Sequence, residues 1–243
     1  MKNIKRIVCL LLCILMIAAF AACKDNDVDS GKKPGNNSSE QGYTASALPG
    51  VVKGSITFKK YGTVTFELYP KTAPESALNF IYLANSGHFN GVIVDRLQKD
   101  FVIQAGKYES GYLERKTDFD YTIKGEFAAN GIENPLTFVK GTMAWVLSGE
   151  DYNSASTEFA IYTDATTCYD LNGKYAAFGS VIGEDSFKVL KKINKQKTYS
   201  QKPVEEIMIT SVVIDPVDLN GFEPTYKFPE PNFIKADAKK DNK

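Results

Sequence analysis

The stretch Val94-Asp-Arg-Leu-Gln-Lys-Asp-Phe-Val-Ile-Gln-Ala-Gly106 sets one guanidinium and one neutral amide among bulky apolar residues. Two short extended segments joined by the polar turn Gln98-Lys99-Asp100 would bring four side chains onto one apolar face, namely Arg96, Phe101, Val102 and Gln104. An apolar patch with a single fixed arginine is suited to gripping proline and weakening the peptide bond before it. The alternative for Arg96 is a surface ion pair with Asp95 or Asp100.

The amino terminus has the pattern of a targeting segment. Lys2, Lys5 and Arg6 precede an unbroken apolar run of 16 residues, 7–22, which ends at Cys23. This run is shorter than the roughly 20 residues that span a bilayer core. Small residues directly before a cysteine predict a lipoprotein signal peptide, with Cys23 lipidated as the first mature residue. An uncleaved anchor is the alternative. In either case we expect the remainder of the chain to lie outside the cytoplasm. If Cys23 is lipidated, the protein would be lipid-anchored to a bacterial cell membrane.

Composition divides the rest of the chain into three parts. After the signal peptide, residues 1–22, the segment 23–48 is rich in Asp, Asn, Ser, Gly and Lys and is typical of a flexible tether. Residues 49–216 have a globular composition and the length of one domain with a substantial core. The proline-rich segment 217–243 predicts an extended tail that packs Phe222, Tyr226 and Phe228 on the domain.

Charge and residue usage exclude several classes of function. Without residues 1–22, 26 Lys and Arg remain against 29 Asp and Glu. The sequence has no basic block with interleaved aromatics, the pattern that would indicate nucleic-acid binding. Cys168 is the single cysteine after Cys23, so it has no partner for an internal disulfide. His88 is the only histidine, which excludes multi-histidine zinc sites. We therefore predict no metal, no cofactor and no nucleic-acid partner, and we expect a monomer.

Most of the domain alternates between apolar and polar residues with the period of β-strands. Residues around Lys60-Tyr61-Gly62 predict a first hairpin, and further strands are predicted at 92–97, 101–104, 121–123, 142–147, 158–162, 175–181 and 207–214. Thr72-Ala-Pro-Glu75 has the pattern of a capping box opening one helix, and Asp185 that of the cap of a second. Many strands with two helices predict a mainly β fold, a closed antiparallel barrel capped by two helices.

Several blocks in order along residues 54–215 resemble the cyclophilin-type peptidyl-prolyl isomerases. The segment 66–80 is similar to the family's first strand–helix unit, and Asp95-Arg-Leu with Asp100-Phe-Val-Ile-Gln-Ala-Gly106 to its catalytic strand pair. Later blocks match in sequence, namely Tyr121-Thr-Ile-Lys-Gly-Glu-Phe127, Lys140-Gly-Thr-Met-Ala144, Thr157-Glu-Phe159 and Leu171-Asn-Gly-Lys-Tyr-Ala-Ala-Phe-Gly179. The resemblance implies an eight-stranded barrel, proline-containing polypeptide segments as substrates, and no cofactor.

The resemblance also implies a set of site residues. Arg96 would be catalytic, and the substrate-binding residues that match the family directly would be Phe101, Gln104, Phe159 and Leu171. Four more stand at site positions but differ from the family's usual residue: Val102 for Met, Val146 for Ala, Ala160 for a large aromatic, and Tyr175 for His. Asp95 likewise replaces the usual His. For Phe101 and Phe159, packing in the core is the alternative to substrate contact.

The substitutions at Ala160 and Val146 predict an altered proline pocket. Ala160 would leave unfilled volume beside the proline ring unless Tyr169 or the long loop 148–156 fills it. The sequence therefore favours an isomerase of exported proteins that assists their folding, with reduced activity. The alternatives are a cyclophilin-like module that binds proline-containing segments without turnover and, less well supported, a solute-binding lipoprotein.

Overall fold

The hairpin predicted around Lys60 opens the sheet. A computed structural model describes residues 45–114, 121–216 and 229–235. Strand β1 (Val52–Phe58) pairs with β2 (Gly62–Leu68) in an unbroken antiparallel register from Val52–Leu68 to Phe58–Gly62. Alternate side chains of both strands are buried, including Ile56 and Val64, as the sequence pattern predicts.

Eleven further strands and three α-helices follow in the described residues. The strands are β3 Val92–Gln98, β4 Val102–Glu109, β5 Leu113–Glu114, β6 Tyr121–Thr122, β7 Thr142–Trp145, β8 Phe159–Tyr162, β9 Ala177–Ile182, β10 Thr198–Tyr199, β11 Lys202–Pro203, β12 Ile209–Ile214 and β13 Ile234–Lys235. The helices are α1 Pro74–Asn85, α2 Ala165–Cys168 and α3 Glu184–Asn194, with 3-10 turns at Ala45–Ala47, Ser110–Tyr112, Ala128–Asn130 and Tyr169–Leu171.

Eight antiparallel strands form the main sheet, in the order β12-β1-β2-β9-β7-β8-β4-β3, with β5 paired to the far end of β4. The first and last strands of this order, β12 and β3, also lie next to each other. Ile93 and Met208 form an antiparallel bridge, and the N–H groups of Gly91 and Val94 donate to the carbonyls of Ile209 and Ile207. The sheet is thus nearly closed, which confirms the predicted β-barrel and leaves few unpaired edge groups.

An aromatic cluster fills the barrel interior. Helix α1 inserts Phe80, whose ring lies 5.0–5.5 Å from four other rings, those of Phe66, Phe89, Phe159 and Phe178. Trp145 stacks on Phe178 and donates from Nε1 to the carbonyl of Ser76. Edge-to-face and tilted contacts of this kind stabilise a core beyond the area they bury.

The predicted capping box at the start of α1 is wrong. The cap position is Ala73, and no side chain of its own segment bonds to the helix amides. Instead the carboxylate of Glu126, from a distant loop, accepts hydrogen bonds from the backbone N–H groups of Glu75 and Ser76. Burial raises the pKa of Glu126 to about 7 despite these bonds, which act in the opposite direction. A sequence pattern that considers only neighbouring residues could not foresee a cap from 50 residues away.

The number and starts of the helices also differ from the prediction. The short helix α2 is an addition, opened by Asp164, whose side chain accepts from the N–H of Thr166. Four residues are too few for a recognisable apolar period. Helix α3 begins at Glu184 after Gly183, so Asp185 lies inside the first turn rather than at the cap.

Part of the carboxyl-terminal tail returns to the domain. Strand β13 pairs with β6, and the ring of Phe233 lies 4.2 Å from that of Tyr121. Asn232 donates its backbone N–H to Glu75 at 2.7 Å. The predicted signal peptide, Cys23, most of the tether and the residues Phe222, Tyr226 and Phe228 lie outside the described residues. In the part of the chain that is described, no helix is long and apolar enough to cross a membrane.

Candidate active site

Strand register places the site on the outside of the barrel. Paired residues form a row across five strands: Arg96 on β3, Gln104 on β4, Ala160 on β8, Ala144 on β7 and Ala177 on β9. Residues that pair directly across strands project to the same face. Three adjacent alanines therefore form a smooth, small-residue floor beside one arginine and one glutamine.

An apolar cluster surrounds this floor and is separate from the barrel interior. We call it the outer cluster; its buried members are Val102, Phe138, Ala144, Ala160, Tyr162, Cys168 and Ala177, and its partly buried members are Phe101, Leu136, Val146, Leu171 and Tyr175. Six residues predicted from the sequence as substrate contacts belong to it, namely Phe101, Val102, Val146, Ala160, Leu171 and Tyr175. The partly buried members present apolar surface that a ligand can reach.

Arg96 lies at the edge of the outer cluster and is held by three glutamine side chains. Its Nε donates to Gln201 at 2.7 Å, one Nη donates to Gln98 at 2.9 Å, and the other reaches Gln104 at 3.4 Å. Its Cζ lies 5.8 Å from the centroid of the Phe101 ring. Within the described residues no carboxylate forms an ion pair with it, so the alternative of a surface ion pair with Asp95 or Asp100 is wrong. Neutral amide oxygens fix the guanidinium without cancelling its charge.

A carboxyl pair lies behind Gln104. The Nε2 of Gln104 donates to Glu158 at 2.7 Å, which leaves its Oε1 facing Arg96. Asp95 is buried beside Glu158, and burial, followed by the charge of Glu158 and a hydrogen bond with it, raises the pKa of Asp95 to about 7. Because a carboxylate accepts only, Glu158 determines which way the Gln104 amide faces.

Comparison with known proteins identifies the family. The family model described as cyclophilin type peptidyl-prolyl cis-trans isomerase/CLD matches residues 54–214. The chain belongs to this family. Its enzyme class is therefore that of the peptidyl-prolyl cis-trans isomerases.

Individual relatives agree with this assignment. The chain is 31% identical over 150 residues to peptidyl-prolyl cis-trans isomerase cypE of Dictyostelium discoideum, covering 61% of this chain and 88% of the relative. It is 29% identical to peptidyl-prolyl cis-trans isomerase A of Dickeya dadantii, covering 63% and 77%. A solved cyclophilin type isomerase of Cryptosporidium parvum has the same fold, with a TM-score of 0.55 at 24% identity over 69% of this chain and 99% of that one.

One expected substrate contact of this cyclophilin, Phe159, is not at the site. Its ring is buried in the barrel interior, 5.2 Å from the rings of Phe80 and Phe89. Phe159 and Ala160 are neighbours on β8, and successive strand residues project to opposite faces. Both could not line one pocket, and Ala160 is the one on the outer face. The alternative of core packing is thus the correct one for Phe159.

The expected hole at Ala160 is filled. The Ala160 side chain is fully buried, and two large buried aromatics of the outer cluster, Phe138 and Tyr162, pack with their rings 5.0 Å apart. Tyr169 is 70% exposed and does not fill this space. In the loop 148–156, Tyr152 packs on Phe127 of the barrel interior rather than on the outer cluster.

Several residues that line or support the candidate site escaped the sequence prediction. Tyr162 and Glu158 lie two residues on either side of Ala160 on the same strand face, so strict alternation would have found both. Phe138 belongs to an irregular segment without a period, and Gln201 is 105 residues from Arg96 along the chain. In the described residues, no group of three or more His, Cys, Asp or Glu is placed to hold a metal ion.

The pair of Asp95 and Glu158 predicts that the domain loses stability as the pH rises. Because the folded-state pKa of Asp95 is raised from 3.8 to about 7, folding binds a proton. The resulting stabilisation is fully present below pH 3.8 and is lost as the pH rises through about 7. The free energy of unfolding then falls by up to roughly 1.4 kcal/mol per pH unit, the value for one proton. Urea unfolding at pH 5, 6, 7 and 8 measures it.

Asp95→Asn should flatten this pH dependence and make the variant more stable than the wild type at pH 8. Glu126, whose raised pKa has the same sign, leaves a residual slope in the variant. Asp170→Asn, at an exposed position, is the control. An unchanged slope in Asp95→Asn would show that the carboxyl pair does not bind the proton.

Proposed function

We propose that this cyclophilin isomerises X-Pro bonds of exported polypeptides, as a monomer outside the cytoplasm, and so assists their folding. The observation that supports this most directly is Arg96 beside an apolar cluster, held by three amide oxygens and, among the described residues, by no carboxylate. An X-Pro bond resists rotation because the nitrogen lone pair is delocalised into the carbonyl, with a barrier of about 18–20 kcal/mol. In the twisted transition state the prolyl nitrogen regains that lone pair.

The side chains have distinct parts in this mechanism. The proline ring rests on the partly buried members of the outer cluster, among them Phe101 and Leu171. Arg96 donates a hydrogen bond to the pyramidal prolyl nitrogen, an interaction available chiefly in the twisted state and therefore one that lowers the barrier. Gln104 keeps the guanidinium in place, and the hydroxyl of Tyr175 donates to a substrate carbonyl. No nucleophile takes part, because no covalent bond is made or broken.

A proline-containing ligand has support from a structural relative. A second structure of the Cryptosporidium parvum cyclophilin, with a TM-score of 0.54 to this chain, was determined in the presence of the dipeptide Ala-Pro. The proposed substrates are therefore polypeptide segments with an accessible X-Pro bond. The test is the rate of cis–trans exchange in a short X-Pro peptide, measured by NMR with and without the purified chain. No acceleration at high enzyme concentration would contradict the proposed catalysis.

A binding module without turnover is the second candidate. It is favoured by the floor of Ala144, Ala160 and Ala177, all fully or almost fully buried, which offers a proline ring little depth. Dispersion contacts fall quickly when a wall is missing or distant. This candidate predicts saturable shifts of the Phe101 and Leu171 signals on peptide titration with no change in exchange rate, whereas the isomerase predicts both.

Location is proposed from the amino-terminal sequence. Lipidation of Cys23 would tether the domain to the outer face of the cell membrane through the segment 23–48. We predict that Cys23→Ser moves the protein from the membrane fraction to a soluble fraction. Without acyl chains the polar tether has no apolar group that could hold the domain at a bilayer. Immunoblots of fractionated cells measure the distribution.

Cys9→Ser and Cys13→Ser are matched controls. Both remove a thiol from the same apolar run without touching the lipidated position, and both should stay with the membrane. If Cys23→Ser also remains bound to the membrane, the uncleaved anchor is the correct interpretation.

A further inference from the structure

The hairpin of β10 and β11 has an unusual turn. Tyr199 pairs with Lys202, which leaves Ser200 and Gln201 as the two turn residues. Their φ angles are 48° and 65°, in the left-handed region that favours glycine or asparagine. A serine and a glutamine in this conformation are strained, and such strain persists where surrounding contacts maintain it.

The contacts that hold this turn lead to the active site. The backbone carbonyl of Gln201 accepts from the N–H of Leu97 at 2.7 Å. Its side-chain Oε1 accepts from the Nε of Arg96, also at 2.7 Å. One turn residue therefore holds two successive residues of β3, one through the backbone and the other through the side chain.

We infer that Gln201 is a positioning residue for Arg96, an assignment that rests on the proposed role of Arg96. The guanidinium is planar, so a bond at Nε together with the bond from Nη2 to Gln98 fixes the orientation of the whole group. The remaining nitrogen, Nη1, makes only a 3.4 Å contact with Gln104. Nη1 is thus the least engaged of the three nitrogens, and it is the donor to the prolyl nitrogen in the proposed mechanism. An amide at position 201 aligns the group while leaving its full positive charge for the transition state.

Glycine substitutions separate positioning from a structural role. Gln201→Gly removes the side-chain bond, keeps the backbone bond to Leu97 and relieves the positive φ. Ser200→Gly relieves the same kind of strain at the neighbouring position; its side chain is exposed. We expect both variants to unfold at or above the wild-type temperature. Gln201→Gly should lose about tenfold to a hundredfold in kcat with little change in KM, because misalignment acts on the transition state. Ser200→Gly should keep wild-type kinetics.

A spectroscopic measurement tests the same inference without using activity. The Arg96 Nε–H group should give a shifted signal protected from exchange with water in the wild type and in Ser200→Gly, and lose that protection in Gln201→Gly. This outcome supports the positioning role even if the wild type proves inactive on X-Pro peptides. Wild-type kinetics together with a protected Nε–H in Gln201→Gly would overturn it, as would an equal loss of activity in Ser200→Gly.

Discussion

Arg96→Ala is expected to slow catalysed cis–trans exchange by about a hundredfold to a thousandfold, the usual effect of deleting one preorganised donor at a transition state. The expectation is large because Arg96 is the one guanidinium among the described residues and its charge is not cancelled by a carboxylate. Peptide binding should weaken much less, since the outer cluster is untouched. Exchange spectroscopy on a short X-Pro peptide gives the rate, and a titration gives the affinity.

Arg96→Lys distinguishes charge from geometry. Lysine keeps the positive charge but has one donor group, so it cannot bond to Gln201, Gln98 and Gln104 from a single rigid plane. We expect it to recover only a small part of the lost rate. Lys99→Ala, in the exposed turn that follows Gln98, removes a nearby cation and is the control for general electrostatic effects. A folded Arg96→Ala variant as fast as the wild type would remove Arg96 from the mechanism.

Much of the barrel was predictable because strand signals are local. The hairpin of β1 and β2, the apolar stripe of α1 and the strand pair around Arg96 each follow from residues close in the chain. The ordered blocks of the family then fix how these elements assemble. The cap of α1 was mispredicted for the opposite reason, since Glu126 reaches its first turn from a distant segment.

The candidate site was likewise predictable only in part. Arg96, Gln104 and Phe101 lie in one short stretch, so their convergence follows from one turn. The assignment of Phe159 failed because a family match was followed without applying the alternation of a strand. Gln201 gave no sequence signal, because a glutamine in a strained turn is recognisable only once the hairpin is seen against β3.

The outer cluster leads to a second large effect, at the buried floor of the site. Ala160→Phe is expected to destabilise the domain by about 1–3 kcal/mol, the usual cost of overpacking, and to leave the exchange rate no higher than in the wild type. Phe138 and Tyr162 already occupy the outer cluster with Ala160, which has no exposed surface. Chemical unfolding and the exchange rate of the same variant are the two measurements. Ala129→Phe, at an exposed alanine, controls for the added ring itself.

Removal of a neighbouring ring should offset part of the cost of Ala160→Phe. Phe138→Ala alone is expected to cost about 3–5 kcal/mol, since it opens a cavity in a buried cluster. In the double variant the new ring at position 160 would occupy part of that cavity, so the two costs should not add. If the double variant loses as much unfolding free energy as the two single variants together, or more, the two side chains do not share one space. A stable Ala160→Phe single variant with faster exchange would show instead that the proline pocket is open at Ala160, as the family comparison alone suggested.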